Sequence, residues 1–279
     1  MKLSRIFKTL PALALAVSAG TVSADLIYDA DVTNDVIFGS GNANGGFTVD
    51  QNNGIELGLR GKLRFNEDNQ PENTFNSNGD GSYTFLAGNP PTGFGFDPGN
   101  PTTPVWNFEW SINSDFNQDP TSDAPIRNLN DLVYALTLDI DPGPGFQAQG
   151  PIFSFFDPIN VAYADHAIGN NFTASGEGTV ADKNADYSQL IDSNNLAQNS
   201  WSYEFFNSPS NNFTAGFDPT VPGDYLIRLI AFDRSPFEGG QTLASTSINI
   251  KVASVPEPGT LALLGLGLAG LSLTRRRRS

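Results

Sequence analysis

Between residues 55 and 65 the chain alternates without a break. Ile55, Leu57, Leu59, Gly61, Leu63 and Phe65 fall on one side, and Glu56, Gly58, Arg60, Lys62 and Arg64 on the other. A period of two belongs to an extended strand, whereas a helix repeats its apolar stripe every 3.6 residues. The segment therefore reads as a half-buried strand. Trp106, Phe108, Trp110 and Ile112 repeat the pattern, as do Leu132, Tyr134, Leu136, Leu138 and Ile140. Weaker strand candidates lie at 27–32, 46–49, 82–86, 152–156 and 201–206, and residues 187–191 fit a helical turn. No long amphipathic helix is written anywhere between residues 25 and 254. Instead, Gly, Pro, Asn and Asp punctuate short phenylalanine-rich runs, which is the pattern of an all-β domain with an aromatic core. Residues 67–81 and 89–104 are long polar loops rich in Asn, Pro and Gly.

The last such unit is the best formed. Pro222-Gly223-Asp224-Tyr225 leads into an apolar run over 226–232, and a second run over 246–252 follows a turn containing Gly239-Gly240. The pair resembles the closing hairpin of immunoglobulin-like and PKD-like sandwiches, in which Gly-x-Tyr opens the penultimate strand. The resemblance implies a β-sandwich of immunoglobulin-like or jelly-roll type. It gives Tyr225 the tyrosine-corner role, with its hydroxyl bonded to upstream backbone.

Both ends of the sequence read as targeting segments, dividing it into 1–24, 25–254 and 255–279. Lys2, Arg5 and Lys8 precede a short apolar stretch over 10–19, and the small residues Val22-Ser23-Ala24 suit a signal peptidase that leaves Asp25 as the new N-terminus. A secretion translocase and a signal peptidase are the partners this implies. At the other end, Pro256-Glu257-Pro258 is followed by an apolar run over 260–274 and then by Arg275, Arg276, Arg277 and Arg278. As a helix at about 1.5 Å per residue the run reaches only about 22 Å, short of a hydrocarbon core of about 30 Å. The arginines hold their end on the cytoplasmic side. This is a short membrane-seeking helix that stops translocation and presents Pro-Glu-Pro at the outer boundary.

Motif, Gly/Leu-rich run and Arg cluster, in that order, resemble the PEP-CTERM tail of Gram-negative bacteria. The resemblance covers about 25 residues. It implies export, cutting near Pro256-Glu257-Pro258 by an exosortase-type membrane protease, and a setting of exopolysaccharide and biofilm.

Charge and chemistry narrow what lies between. Seven of the 15 Lys and Arg lie in the terminal segments, against one of the 30 Asp and Glu. Residues 25–254 thus hold 8 cations and 29 anions, a net charge of −21. Such a surface repels nucleic acid and attracts divalent cations. There is no cysteine, so export brings no disulfide and thiolate chemistry is excluded. The one histidine, His166, has no nucleophile elbow beside it and reads as a loop residue with a structural hydrogen bond. A glycosidase needs only two carboxylates, and Glu109 and Glu204 each lie near tryptophan. On a strand, however, Glu109 alternates away from Trp106 and Trp110, which makes those rings core. The row Arg60, Lys62 and Arg64 reads as exposed pairs with acidic neighbours or, alternatively, as a contact stripe for an anionic polysaccharide.

Calcium is the one cofactor the acidic loops suggest. Asn76-x-Asn78-x-Asp80-Gly81 resembles the first half of an EF-hand loop, but Ala87 stands where the bidentate glutamate belongs. Asp115, Asp119 and Asp123, and separately Asp139 and Asp141, are candidate oxygen ligands or turn formers. The expectation is a non-enzymatic surface or matrix protein, structural or adhesive. A calcium-dependent carbohydrate-binding module is the alternative, and a glycan-active enzyme the third reading.

Overall fold

A computed structural model describes residues 25–39, 41–64, 72–90, 102–118, 126–139, 143, 156–206 and 218–254. Ten strands are described: β1 (Ile27–Ala30), β2 (Phe47–Asn52), β3 (Ile55–Leu63), β4 (Ser82–Leu86), β5 (Trp106–Asn113), β6 (Val133–Leu138), β7 (Ala167–Gly169), β8 (Leu196–Trp201), β9 (Gly223–Phe232) and β10 (Thr242–Ala253). One helix, α1 (Asn184–Ile191), is described where the helical turn is expected. The strands form a six-stranded sheet ordered β1-β2-β3-β5-β8-β7 and a four-stranded sheet ordered β4-β10-β9-β6. All pairings are antiparallel except β4 with β10, which is parallel. The all-β sandwich expected from the alternation is the fold observed.

One apolar core joins the two sheets. Leu57, Leu59, Trp106, Phe108, Trp110 and Ile112 from the larger sheet meet Tyr83, Tyr134, Leu136, Tyr225, Leu229 and Ile250 from the smaller, and all are buried. Each fully buried side chain of this size contributes roughly 1.5–3 kcal/mol relative to exposure. Gly61, on the inward face of β3, lets the second sheet approach closely. A Cβ on Gly61 would stand 2.8 Å from Ile250 Cδ1 and 2.9 Å from Tyr83 Cβ. Along one side the sheets are tied directly. Ser245 N donates to Asp50 Oδ2 at 2.6 Å and Thr246 Oγ1 to the Thr48 carbonyl at 2.9 Å.

The half-buried reading of β3 is corrected, because both of its faces are covered. The segment between β1 and β2 leaves β1, crosses β3 and β5 as far as β8, and returns over β3. Thr33 N and Oγ1 donate to the two oxygens of Glu56, at 2.6 and 2.9 Å. Gln198 on β8 accepts from Ile37 N at 2.7 Å and donates to the Asp35 carbonyl at 2.8 Å. On the way back the Ala43 and Gly45 carbonyls accept from Arg60 Nη1, at 2.9 and 2.6 Å. The polar face of the sheet lies beneath this strap.

One weaker expectation is also corrected, and another lies almost wholly outside the described residues. The strand expected at 201–206 ends at Trp201, and Tyr203–Phe206 form a 3-10 turn. The turn brings Trp201 and Phe206 together at 5.7 Å, with Phe108 at 6.2 Å from each, so the aromatic signal there reports a corner of the core. Of the candidate at 152–156 only Phe156 is described, as a single bridge to Leu136.

Candidate functional site

Three side chains carry the chemistry weighed from the sequence, and each is already engaged. Glu109 lies on the outer face of β5, opposite Trp106 and Trp110, and is fully buried. Arg60 Nε donates to its Oε2 at 2.6 Å, and Lys62 Nζ stands 3.3 Å from Oε1. The Arg60 guanidinium is held between the Phe47 and Phe75 rings, 4.2 and 4.0 Å from their centroids. Glu204 accepts from Arg64 Nη1 at 2.7 Å and from Thr103 Oγ1. The basic row therefore pairs with acidic neighbours as expected, but Arg60 does so fully buried and Lys62 nearly so. A polysaccharide contact stripe on Arg60 and Lys62 is overturned, because the strap covers them.

His166 is buried against the Trp110, Trp201 and Tyr187 rings. Its Nε2 lies 2.7 Å from the Pro158 carbonyl and its Nδ1 3.0 Å from Asn199 Nδ2. A carbonyl only accepts, so Nε2 carries the proton and Nδ1 accepts from the amide. Burial favours this neutral form and lowers the pKa to about 4. The ring is locked in place by bonds at both nitrogens. Glu56 is pushed the other way, raised by burial against its bonds to Thr33 and Gln51.

The aspartates named as calcium ligands are divided by the fold. Asp115 follows β5, its Oδ2 accepting from Ile126 N at 2.8 Å and its carbonyl from the Asn171 and Asn195 amides at 3.0 Å each. Asp139 follows β6 at the opposite end, where its carbonyl accepts from Tyr203 Oη at 2.6 Å and Tyr203 packs on Trp106. The length of β5, about 24 Å, separates them, so the two cannot share an ion. Asp119, Asp123 and Asp141 lie outside the described residues. Among the described residues no three of His, Cys, Asp or Glu gather as metal ligands. In the loop resembling an EF-hand, Asp80 accepts from Ser82 N and Oγ, at 2.9 and 2.5 Å, which holds its carboxyl below the usual range. That loop is a tight turn into β4.

One end of the smaller sheet is distinctive because the chain leaves it for the sorting tail. β10 stays paired with β4 to its last residue, Ala253 opposite Leu86. The Ala253 carbonyl accepts from Ala87 N at 2.8 Å, and Gly88 N donates to the Pro219 carbonyl at 2.7 Å. Tyr225 Oη donates to the Val221 carbonyl at 3.3 Å, the upstream backbone bond expected of it. A family model described as the PEP-CTERM protein-sorting motif matches residues 254–278, starting one residue past the strand.

The chain carries a PEP-CTERM sorting motif. It is an exported protein, anchored transiently in the membrane and handled by an exosortase-type membrane protease. No curated protein and no solved structure matches the chain.

Pro256, Glu257 and Pro258, the apolar run, Arg275, Arg276, Arg277 and Arg278, and Ala24 of the signal segment all lie outside the described residues. Asp25 is described, exposed, two residues before β1. Among the described residues no helix is long and apolar enough to cross a membrane. Sequence reasoning missed the strap, β7 and β8. Their signal is a set of amides and carboxylates (Glu56, Asn113, Gln198) on strand faces that would otherwise be solvated.

Proposed function

We propose that residues 25–254 form a non-catalytic surface or matrix component, structural or adhesive in an exopolysaccharide setting. The single observation that carries this reading is a PEP-CTERM motif joined directly to a β-sandwich. It is supported by the engagement of Glu109, Glu204 and His166 in structural bonds, which occupies the side chains the sequence singles out for acid–base work. The partner would be an extracellular polysaccharide. Comparing the matrix of cells with and without the protein tests this. The reading predicts weakened cohesion with unchanged glycan linkages and chain lengths, whereas altered linkages or accumulated oligosaccharides would point to an enzyme. Calcium enters as a secondary proposal, at least one ion in the acidic loops, with Asp115, Asp119 and Asp123 or, separately, Asp139 and Asp141 as the candidate ligands. Thermal melts with and without EDTA decide it, and superimposable curves dismiss the ion.

A further inference from the structure

The distance between fold and sorting motif is set by β10. Lys251, Val252 and Ala253 are still paired with Thr84, Phe85 and Leu86, so Pro256 is the third residue past the last pair. Three extended residues reach about 10 Å, and the seven from Ala253 to Thr260 about 24 Å at most. A membrane protease cutting near Pro256-Glu257-Pro258 has no linker to hold the domain away. It must work against the end of the four-stranded sheet.

That end carries exposed apolar side chains. Leu86, opposite Ala253, is 52% exposed, and Val221 in the turn before β9 is 38% exposed. The two are fixed relative to the exit, since Gly88 N bonds the Pro219 carbonyl and Val221 N bonds the Asp218 carbonyl at 3.1 Å. Two exposed apolar side chains at an obligatory point of approach offer anchors for that contact. The net charge of −21 on residues 25–254 disfavours an anionic bilayer as its occupant. We propose that this end of the sheet, centred on Leu86 and Val221, docks on the exosortase-type protease that processes the tail. The proposal rests on the exosortase reading and adds that the folded domain takes part in recognition.

The test uses the full-length chain in an exporting host with a tagged exosortase, following the tail-bearing form by pulse-chase. Leu86→Asp with Val221→Asp is expected to lengthen its half-life by about fivefold or more, as loss of an interface anchor does. Phe237→Asp, in the β9–β10 connection at the opposite end of the same sheet, is expected to leave it unchanged. Benzoylphenylalanine placed at position 86 is expected to cross-link to the tagged protease. Should the double Asp variant melt early, Leu86→Gln with Val221→Gln carries the same prediction. A wild-type half-life for these variants, with Glu257→Ala stalled, would overturn the docking surface and leave the sorting motif standing. A cross-link to lipid alone would overturn it in favour of the bilayer. Normal processing of Glu257→Ala would overturn the sorting reading and this proposal together.

Discussion

The two faces of β3 are equally buried and chemically opposite. Inward, Ile55, Leu57 and Leu59 join the aromatic core, with Gly61 admitting the second sheet. Outward, Glu56, Arg60 and Lys62 are enclosed by the strap and by β5. The inner face is held by apolar area and tolerates changes in proportion to the volume removed. The outer face is held by matched partners, since a buried charge that loses its partner keeps its desolvation cost. Equal burial thus produces unequal sensitivity to substitution.

The largest expected effect is on the outer face. Glu109→Ala leaves Arg60 and Lys62 without their carboxylate and should cost about 4 kcal/mol in urea unfolding, while Arg60→Met added to it should restore part of the loss. If the single variant cost under ~1 kcal/mol, as exposed pairs do, the outer face would be solvated and the comparison broken. On the inner face, Leu57→Ala should cost about 3 kcal/mol by the same measurement. A pH series probes the rim of the core at His166. Its folded pKa of about 4 lies below the ordinary 6.5, so the unfolded chain takes up the proton first. Stability from the neutral ring is complete above pH 6.5 and is lost as pH falls towards 4, by about 3 kcal/mol in all. Glu56 and Asp50, raised by burial, work in the opposite sense, so the measurement is the difference between wild type and His166→Gln. The smallest effect concerns the strap. Thr33→Val removes the Oγ1 bond to Glu56 and keeps the backbone bond, at about 1 kcal/mol.

The sequence was most legible where one face met the core. The strict alternation of β3 and the spacing of Trp106, Phe108 and Trp110 follow from packing on a single apolar layer, and those strands stand where expected. The outer face was not legible because its partners are remote. Thr33, Asp35 and Ala43 occupy a stretch without periodicity, and nothing local marks a loop that will turn back over a sheet. β8 was hidden for a related reason. Buried on both sides over its first three residues and half-buried over the rest, its Leu196-Ala-Gln-Asn-Ser-Trp sequence fits neither a clean alternation nor an apolar run. The parallel pairing of β4 with β10 links residues some 170 positions apart and leaves no short-range signature. At the site, the sorting motif was legible in full, since its three parts are contiguous. The short tether before it was not, because the end of β10 depends on its bond to Ala87.

The central claim is that a sandwich is delivered outside the cell and released where β10 gives way to the sorting motif. Intact mass of the protein recovered from the cell surface and medium tests it most directly. The account predicts a species beginning at Asp25 and ending within a few residues of Pro256-Glu257-Pro258. A recovered chain that retained the four terminal arginines, or one found only in the cytosol, would contradict it.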